Sequence, residues 1–332
     1  MYNKDIKFSL WCDFVERSFL DGEFRELIRN SIINGATSNP AIFKSAFLTS
    51  EAYKDEINSL KGKSAKEIYE ILATEDIKQA AERLMPLYEK GDDGFISIEV
   101  DPFLCDDANE TIKEGKRLFQ SIGMPNVMIK IPATDAGYEA MEVLMSEGIN
   151  VNATLIFSPS QAKECVEALR DGTLTCKDKG IKIPKAVISI FVSRFDRKLD
   201  PLLESKGLPV GKTGIYNALA IYNLINEFNT DNIRALFAST GVKGDGFEKD
   251  YYIKNLLCYN SVNTAPLDTI KYFVNSDESV KETIYDTEKI ESFFLELRDN
   301  GIEMEDIYES LMQEGLVSFK NAFKEILDSL KG

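Results

Sequence analysis

Asn-Val-Met-Ile-Lys-Ile-Pro-Ala-Thr, residues 126–134, sets a lysine inside an otherwise apolar run. A strand of this composition is one buried on both faces, as in parallel sheets, so the charge of Lys130 has to be accounted for. A lysine so placed either snorkels its ammonium to the surface or loses solvation, which favours the neutral amine. The neutral amine is a nucleophile that forms Schiff bases with ketones and aldehydes. A snorkelling or ion-paired structural lysine is the commoner outcome, so the choice between them rests on the rest of the chain.

Outward from this stretch, apolar runs alternate with amphipathic segments. The patterning predicts strands at 7–14, 32–38, 95–100, around Lys130, and at 150–157, 186–192, 234–239 and 257–262. It predicts intervening helices at 16–30, 106–121, 137–146, 159–170 and 214–228, and reads the polar, lysine-rich 171–184 as a surface loop. Helical periodicity also covers 50–90, 266–275, 290–299 and 305–330. About eight strands alternating with helices, without a Gly/Ser/Pro linker or composition break, describe one (β/α)8 TIM-type barrel domain over 1–332, with additional helices at about 50–90 and 266–330. The rival architecture, a doubly wound sheet, is disfavoured because neither G-x-G-x-x-G nor a P-loop occurs.

Composition narrows the chemistry. The chain has no histidine, which removes Ser-His and Cys-His hydrolases, histidine bases and the common zinc sites. Five cysteines without a Cys-x-x-Cys pair give neither a disulfide framework nor a zinc ribbon, and point to a reducing, cytoplasmic setting. No apolar run reaches the roughly 20 residues of a spanning helix, and the first residues lack a signal-peptide core, so no membrane association is expected. The formal charge of −16 opposes non-specific nucleic-acid binding, so an anionic ligand must meet a local basic patch. Homo-oligomerisation stays open.

In a barrel of this type the site is built from residues at the C-terminal strand ends. Asp13 closes the first strand, Thr37, Ser38 and Asn39 the second, and Glu99 and Asp101 the third. Asn150, Asn152 and Thr154 share one face of the fifth strand by their alternate spacing. Ser189 lies on the sixth and leads to Arg194, and Ser239 ends the seventh. Singly, each has a structural reading: Asp13 and Asp101 as helix caps, Asn39 as an Asx turn before Pro40, Glu99 as an ion-pair partner of Lys130, Asn152 and Thr154 as satisfied core polars, Arg194 as a surface cation. Together, around a buried lysine, they describe a site for amine-catalysed carbon–carbon exchange. The lysine attacks a sugar ketone, one carboxylate shuttles protons for carbinolamine dehydration, and a second deprotonates the hydroxyl whose alkoxide breaks the bond.

Two motifs carry a family resemblance. Gly-Ala-Thr-Ser-Asn-Pro-Ala-Ile-Phe at 35–43 and Val-Met-Ile-Lys-Ile-Pro-Ala-Thr-Asp-Ala-Gly at 127–137 resemble the Thr-Ser/Thr-Asn-Pro and Schiff-base lysine signatures of transaldolases. Gly-Ile-Asn-Val-Asn-Ala-Thr-Leu-Ile-Phe-Ser at 148–158 and Ser-Ile-Phe-Val-Ser-Arg at 189–194 match two further stretches, and the similarity runs in order from about position 6 to at least 268. The resemblance implies transfer of a dihydroxyacetone unit from sedoheptulose 7-phosphate or fructose 6-phosphate to glyceraldehyde 3-phosphate or erythrose 4-phosphate, in the non-oxidative pentose phosphate pathway, without metal or organic cofactor. By position it implies Lys130 as the Schiff-base residue, Asp13 for the C4 hydroxyl proton, and Glu99 with Thr154 for the water of imine formation and hydrolysis. Asn39, Asn152 and Ser189 would hold the dihydroxyacetone moiety, and Arg194 and Ser239 the phosphate. Where many members carry a second phosphate-binding arginine, this chain reads Ala-Ser-Thr-Gly-Val-Lys at 238–243, so it resembles a longer bacterial branch with Lys243 as the replacement cation. A lysine supplies charge without a bidentate fork, and a solvated loop lysine is the equal alternative.

Two other functions compete: a Schiff-base aldolase of the same fold that releases dihydroxyacetone to water, and a non-catalytic barrel that binds sugar phosphates or a partner protein. Both carboxylates and the expected C-terminal helices, as a shield over the enamine, favour transfer. A buried amine is superfluous for binding alone.

Overall fold

The computed structural model describes residues 1–244, 246–276 and 281–331, so the 277–280 part of the expected C-terminal helical region lies outside the described residues. Eight strands, β1 (Ser9–Cys12), β2 (Gly35–Thr37), β3 (Phe95–Glu99), β4 (Val127–Pro132), β5 (Asn150–Ile156), β6 (Ala186–Phe191), β7 (Ile233–Ala238) and β8 (Val262–Ala265), pair in chain order. Every pairing is parallel, and β8 returns to β1 to close a (β/α)8 barrel. The helices start where the sequence caps them. Ser64 and Glu67 form a reciprocal capping box at Ala65–Glu89, Ser158 and Gln161 do the same at Pro159–Asp178, and Thr134 caps Asp135–Ser146.

Alternation along each strand divides the apolar side chains between two cores. Leu10, Ile96, Ile129, Val151 and Ile188 pack under the helices. Trp11, Phe95, Met128, Val187, Leu236 and Val262 join in a second cluster and fill the barrel interior. Trp11 is fully buried, and a Cβ at position 35 would sit 2.5 Å from its ring, so β1 and β2 can close on the indole only because Gly35 has no side chain.

At the base of the barrel the Trp11 Nε1 donates to Asp93 Oδ2 at 3.0 Å, and Arg234 Nη1 meets Asp93 Oδ1 at 2.7 Å. The same guanidinium donates to the carbonyls of Asn260 and Ser261 and to Ser9 Oγ. A cavity of about 480 Å³ lies here, lined among others by Trp11, Phe95, Met128 and Arg234. Arg234 is 14% and Asp93 9% exposed by side chain, so removing the cation leaves a carboxylate largely cut off from water. We expect Arg234→Met to lower unfolding stability by about 3–5 kcal/mol, measured by urea denaturation. A loss below about 1 kcal/mol would mean that the pair behaves as an exposed one.

Four elements differ from the expectations of the sequence. The last strand is Val262–Ala265, not 257–262: Leu256, Leu257 and Cys258 are buried in a non-strand segment, whereas the true strand, Val-Asn-Thr-Ala, is half polar. The helix after β5 continues to Asp178, so most of the expected loop at 171–184 is helical, and buried Gly172 and Cys176 carry on its inner face. Ser193–Ser205 is a further helix, which holds Arg194 in its first turn and tolerates Pro201 within it. The expected helix at 16–30 is split at Gly22 into Arg17–Asp21 and Glu23–Arg29.

Ala65–Glu89 leads the chain from β2 back to β3, the place of an ordinary barrel crossover, so the extra structure in that region is Pro40–Thr49, the short turn Glu51–Tyr53 and Lys54–Ser59. After Leu267–Val274 come Thr287–Asp299 and the long Met304–Leu330. This last helix contacts Pro40–Thr49, the turn Pro102–Leu104, β5 and Ser193–Ser205, elements at the C-terminal ends of β2, β3, β5 and β6, and therefore lies across the barrel mouth. No helix among the described residues is long and apolar enough to cross a membrane.

Candidate active site

Strand register sets the central group. Glu99 lies opposite Lys130 and Lys130 opposite Asn152, with Thr154 one inward position further on, opposite Pro132. Lys130 is 5% exposed. Its Nζ donates to the Ser38 carbonyl at 3.0 Å and lies 3.7 Å from Glu99 Oε2, an ion pair longer than a hydrogen bond. The lysine does not snorkel.

The two carboxylates differ in support. Asp13, just past β1, accepts from Thr37 Oγ1 at 2.6 Å, and Thr37 Oγ1 lies 2.7 Å from Thr264 Oγ1. Since the Thr37 hydroxyl proton goes to Asp13, Thr264 is the donor in the second bond, which gives a directed chain of two hydroxyls ending on the carboxylate. Burial raises the Asp13 pKa, while the charge of Lys130 and the Thr37 bond pull it down. Glu99 has no hydrogen bond to either oxygen among the described residues, and burial pushes its carboxyl up to about 7 against the opposing pull of Lys130. Asp13 adds to that rise, so the three ionisable groups act on one another's charge.

Thr154 Oγ1 is also buried without a partner among the described residues. Buried polar atoms are nearly always satisfied, and orphans gathered about one amine mark the place of a ligand or its water. Asn152 and Ser189 are ordered below them: Asn152 Nδ2 donates to Ser97 Oγ at 2.9 Å and Ser189 Oγ to Asn152 Oδ1 at 2.6 Å. A buried amine with a carboxyl beside it that burial pushes up to about 7, a second carboxylate held by hydroxyls and a ladder of amide and hydroxyl groups can form and dehydrate a carbinolamine and move protons on a polyol.

The remaining expected site residues lie around the rim. Asn39 caps Pro40–Thr49, its Oδ1 accepting from Ile42 N at 3.1 Å, as its structural reading anticipates. Arg194 forms no ion pair among the described residues; its guanidinium stacks over Phe191 and Phe157, and burial lowers its pKa. Ser239, with φ +56, pairs with Ser193 across the ends of β7 and β6, Oγ to Oγ at 3.1 Å. Lys243 is exposed and has no hydrogen-bond or ion-pair partner among the described residues, which is how a solvated loop lysine looks. Asp101 caps the turn Pro102–Leu104 and pairs with Lys66.

Several contributors escape the sequence reading. Thr37 and Ser38 stand inside the Thr-Ser-Asn-Pro motif and are placed at a strand end, but nothing local assigns them to Asp13 and Lys130. Thr264 falls on the misplaced last strand. Phe319, on the C-terminal helix, puts its ring centroid 5.9 Å from Lys130 Nζ, and no local pattern separates it from the other apolar residues of that helix.

Fold and central group together define a parallel barrel equipped for amine chemistry. The chain belongs to the Transaldolase/Fructose-6-phosphate aldolase family, whose profile matches residues 10–330. It is 51% identical to a transaldolase of Campylobacter jejuni subsp. doylei, with 97% of this chain and 99% of that protein covered. Against a transaldolase of Helicobacter pylori it is 47% identical with the same coverage.

Proposed function

We propose that this chain acts as a transaldolase, in one domain spanning residues 1–332 and in a cytoplasmic setting, through a Schiff base on Lys130. The observation that carries this is a lysine held inside the barrel 3.7 Å from a carboxyl that titrates near neutrality. Lys130 attacks the donor ketone, and Glu99, both acid and base at neutral pH, relays the proton that carbinolamine dehydration needs, with Thr154 fixing the water. Asp13, held by Thr37, takes the C4 hydroxyl proton as the C3–C4 bond breaks, which leaves dihydroxyacetone on Nζ as an enamine. Asn152 and Ser189, with the Nδ2 of Asn39, bind its hydroxyls. Arg194 and Ser239 hold the phosphate, with Lys243 as an outer cation.

Borohydride reduction in the presence of fructose 6-phosphate, followed by peptide mass spectrometry, tests the reading. The expected product is a reduced dihydroxyacetone adduct on Lys130 and on no other lysine. An unmodified Lys130 in folded protein would sink the amine mechanism.

A further inference from the structure

The family name covers two outcomes for one intermediate: the enamine either adds to an acceptor aldehyde or takes a proton from water and leaves as free dihydroxyacetone. Both outcomes rest on the amine reading above. In the first, the enamine carbon bonds to the aldehyde carbon, the aldehyde oxygen takes a proton, and water then adds to the resulting iminium so that the C–N bond breaks and frees the new ketose and the amine. In the second, water protonates that same carbon, its hydroxide adds to the resulting iminium, and the C–N bond breaks to give the ketone and the free amine. The choice therefore depends on whether water protonates the enamine carbon, two bonds from Lys130 Nζ, before an acceptor aldehyde meets it.

We propose that the middle of the C-terminal helix, through Phe319, sets this choice by keeping water off the enamine and so commits the chain to transfer. Phe319 is 7% exposed, its ring faces Lys130 Nζ, and it belongs to the same apolar cluster as Leu155, Phe157 and Phe191 at the mouth. The helix is seated as closely as its backbone permits. A Cβ at Gly315 would lie 2.9 Å from Leu155 Cδ2 and 3.3 Å from Arg194 Nη1. Leu155 meets it through a departure from regular strand geometry: β5 and β6 lose register between Ala153 and Ile156, and Leu155 has φ +59. Such a backbone is strained for a residue with a Cβ, and persists only where its surroundings require it. Here it brings a side chain that regular alternation would send outward into the mouth cluster, directly after Thr154.

Anchors on both sides of Phe319 hold the helix down. Tyr308 donates to Asn217 Oδ1 at 2.9 Å, and Glu314 pairs with Lys198 at 2.7 Å. Beyond it Phe323 packs edge-on against Tyr69 at 4.9 Å, and Glu325 pairs with Lys44. The lid is thus tied to four separate helices, and the phenyl ring is the part aimed at the amine. Removing the ring leaves space for water, whose share of liquid volume is about 30 Å³ per molecule.

The test measures free dihydroxyacetone against transferred product, with fructose 6-phosphate as donor and erythrose 4-phosphate as acceptor, in Phe319→Ser, Phe319→Leu and Gly315→Leu. Phe319→Ser should raise the released-to-transferred ratio by roughly tenfold or more, a barrier change of about 1.4 kcal/mol. Gly315→Leu, which lifts the same helix by another route, should raise it as well, and Phe319→Leu should restore a ratio within about twofold of the parent. An unchanged ratio in both disruptive variants, with the Lys130 adduct still trapped by borohydride, would overturn the lid proposal and leave the amine mechanism standing. Absence of the adduct in the parent protein would instead remove the mechanism on which the proposal rests.

Discussion

Lys130→Ala should lose turnover by roughly 10⁴-fold or more, because removing the nucleophile of a covalent mechanism leaves only binding and positioning to accelerate the reaction. The protein should still fold. Truncation leaves Glu99 without its cation, and a fully buried, unpaired carboxylate would cost several kcal/mol, but the carboxyl avoids this by keeping its proton. Its pKa is already about 7 with Lys130 present, and loss of the positive charge moves it further up, so the group is neutral at physiological pH in the variant. Steady-state kinetics and circular dichroism on the same sample check both halves. Substantial turnover in Lys130→Ala would mean that another amine carries the Schiff base, and unfolding would mean that the Lys130–Glu99 pair is chiefly structural.

The barrel was legible because its strands and helices obey two clean periods, and the buried layers follow from them: outward residues such as Ile129 and Val151 alternate with inward ones such as Met128 and Asn152. The same logic failed at β8. Its Thr264 is polar because it serves the mouth, donating to Thr37, and Asn263, on the other face, accepts from Thr240, so half of the strand lacks the apolar pattern and the buried coil before it looks more like a strand. A strand that carries site residues is the one least able to look like a strand. The helix Ser193–Ser205 was missed for a related reason: its charged Arg-Phe-Asp-Arg-Lys start and Pro201 resemble a loop, yet Phe195, Leu199 and Leu203 hold one buried face.

For the site, the sequence placed the residues at strand ends and anticipated one pairing, Glu99 with Lys130, but not the hydroxyls that hold Asp13. That Lys130 faces Glu99 follows from register, which is set by the closure of the whole barrel. That Asp13 is held by Thr37 and Thr264 depends on β1 lying between β2 and β8, the first and last strands of the chain being neighbours. The lid over Lys130 is more remote still. Its position is fixed by a bulge at Leu155, a missing Cβ at Gly315 and ion pairs to helices distant in sequence, none of which leaves a local signature.

Glu99→Gln separates proton transfer from charge pairing at this site. The amide keeps the shape of the carboxyl but carries neither a transferable proton nor a negative charge, so kcat should fall by about 10²–10⁴-fold, the usual contribution of a positioned acid–base group. The pH profile should change as well. In the parent a limb near 7 reports Glu99, and in the variant that limb should be absent. Stability gives an independent reading with a definite sign. The folded-state pKa of about 7 lies above the ordinary glutamate value of 4.5, so between these values the folded protein holds a proton that the unfolded chain has released. Stability from this group is therefore fully present below pH 4.5 and is lost as pH rises through about 7. Parent protein should lose more stability than Glu99→Gln on going from pH 5 to pH 8, read as the difference in urea midpoints. Equal slopes would show that Glu99 is ionised throughout that range, fixed by Lys130 as a plain ion pair. The neutral-pH proton relay would then have to pass to Asp13, the carboxyl that the hydroxyl chain supports.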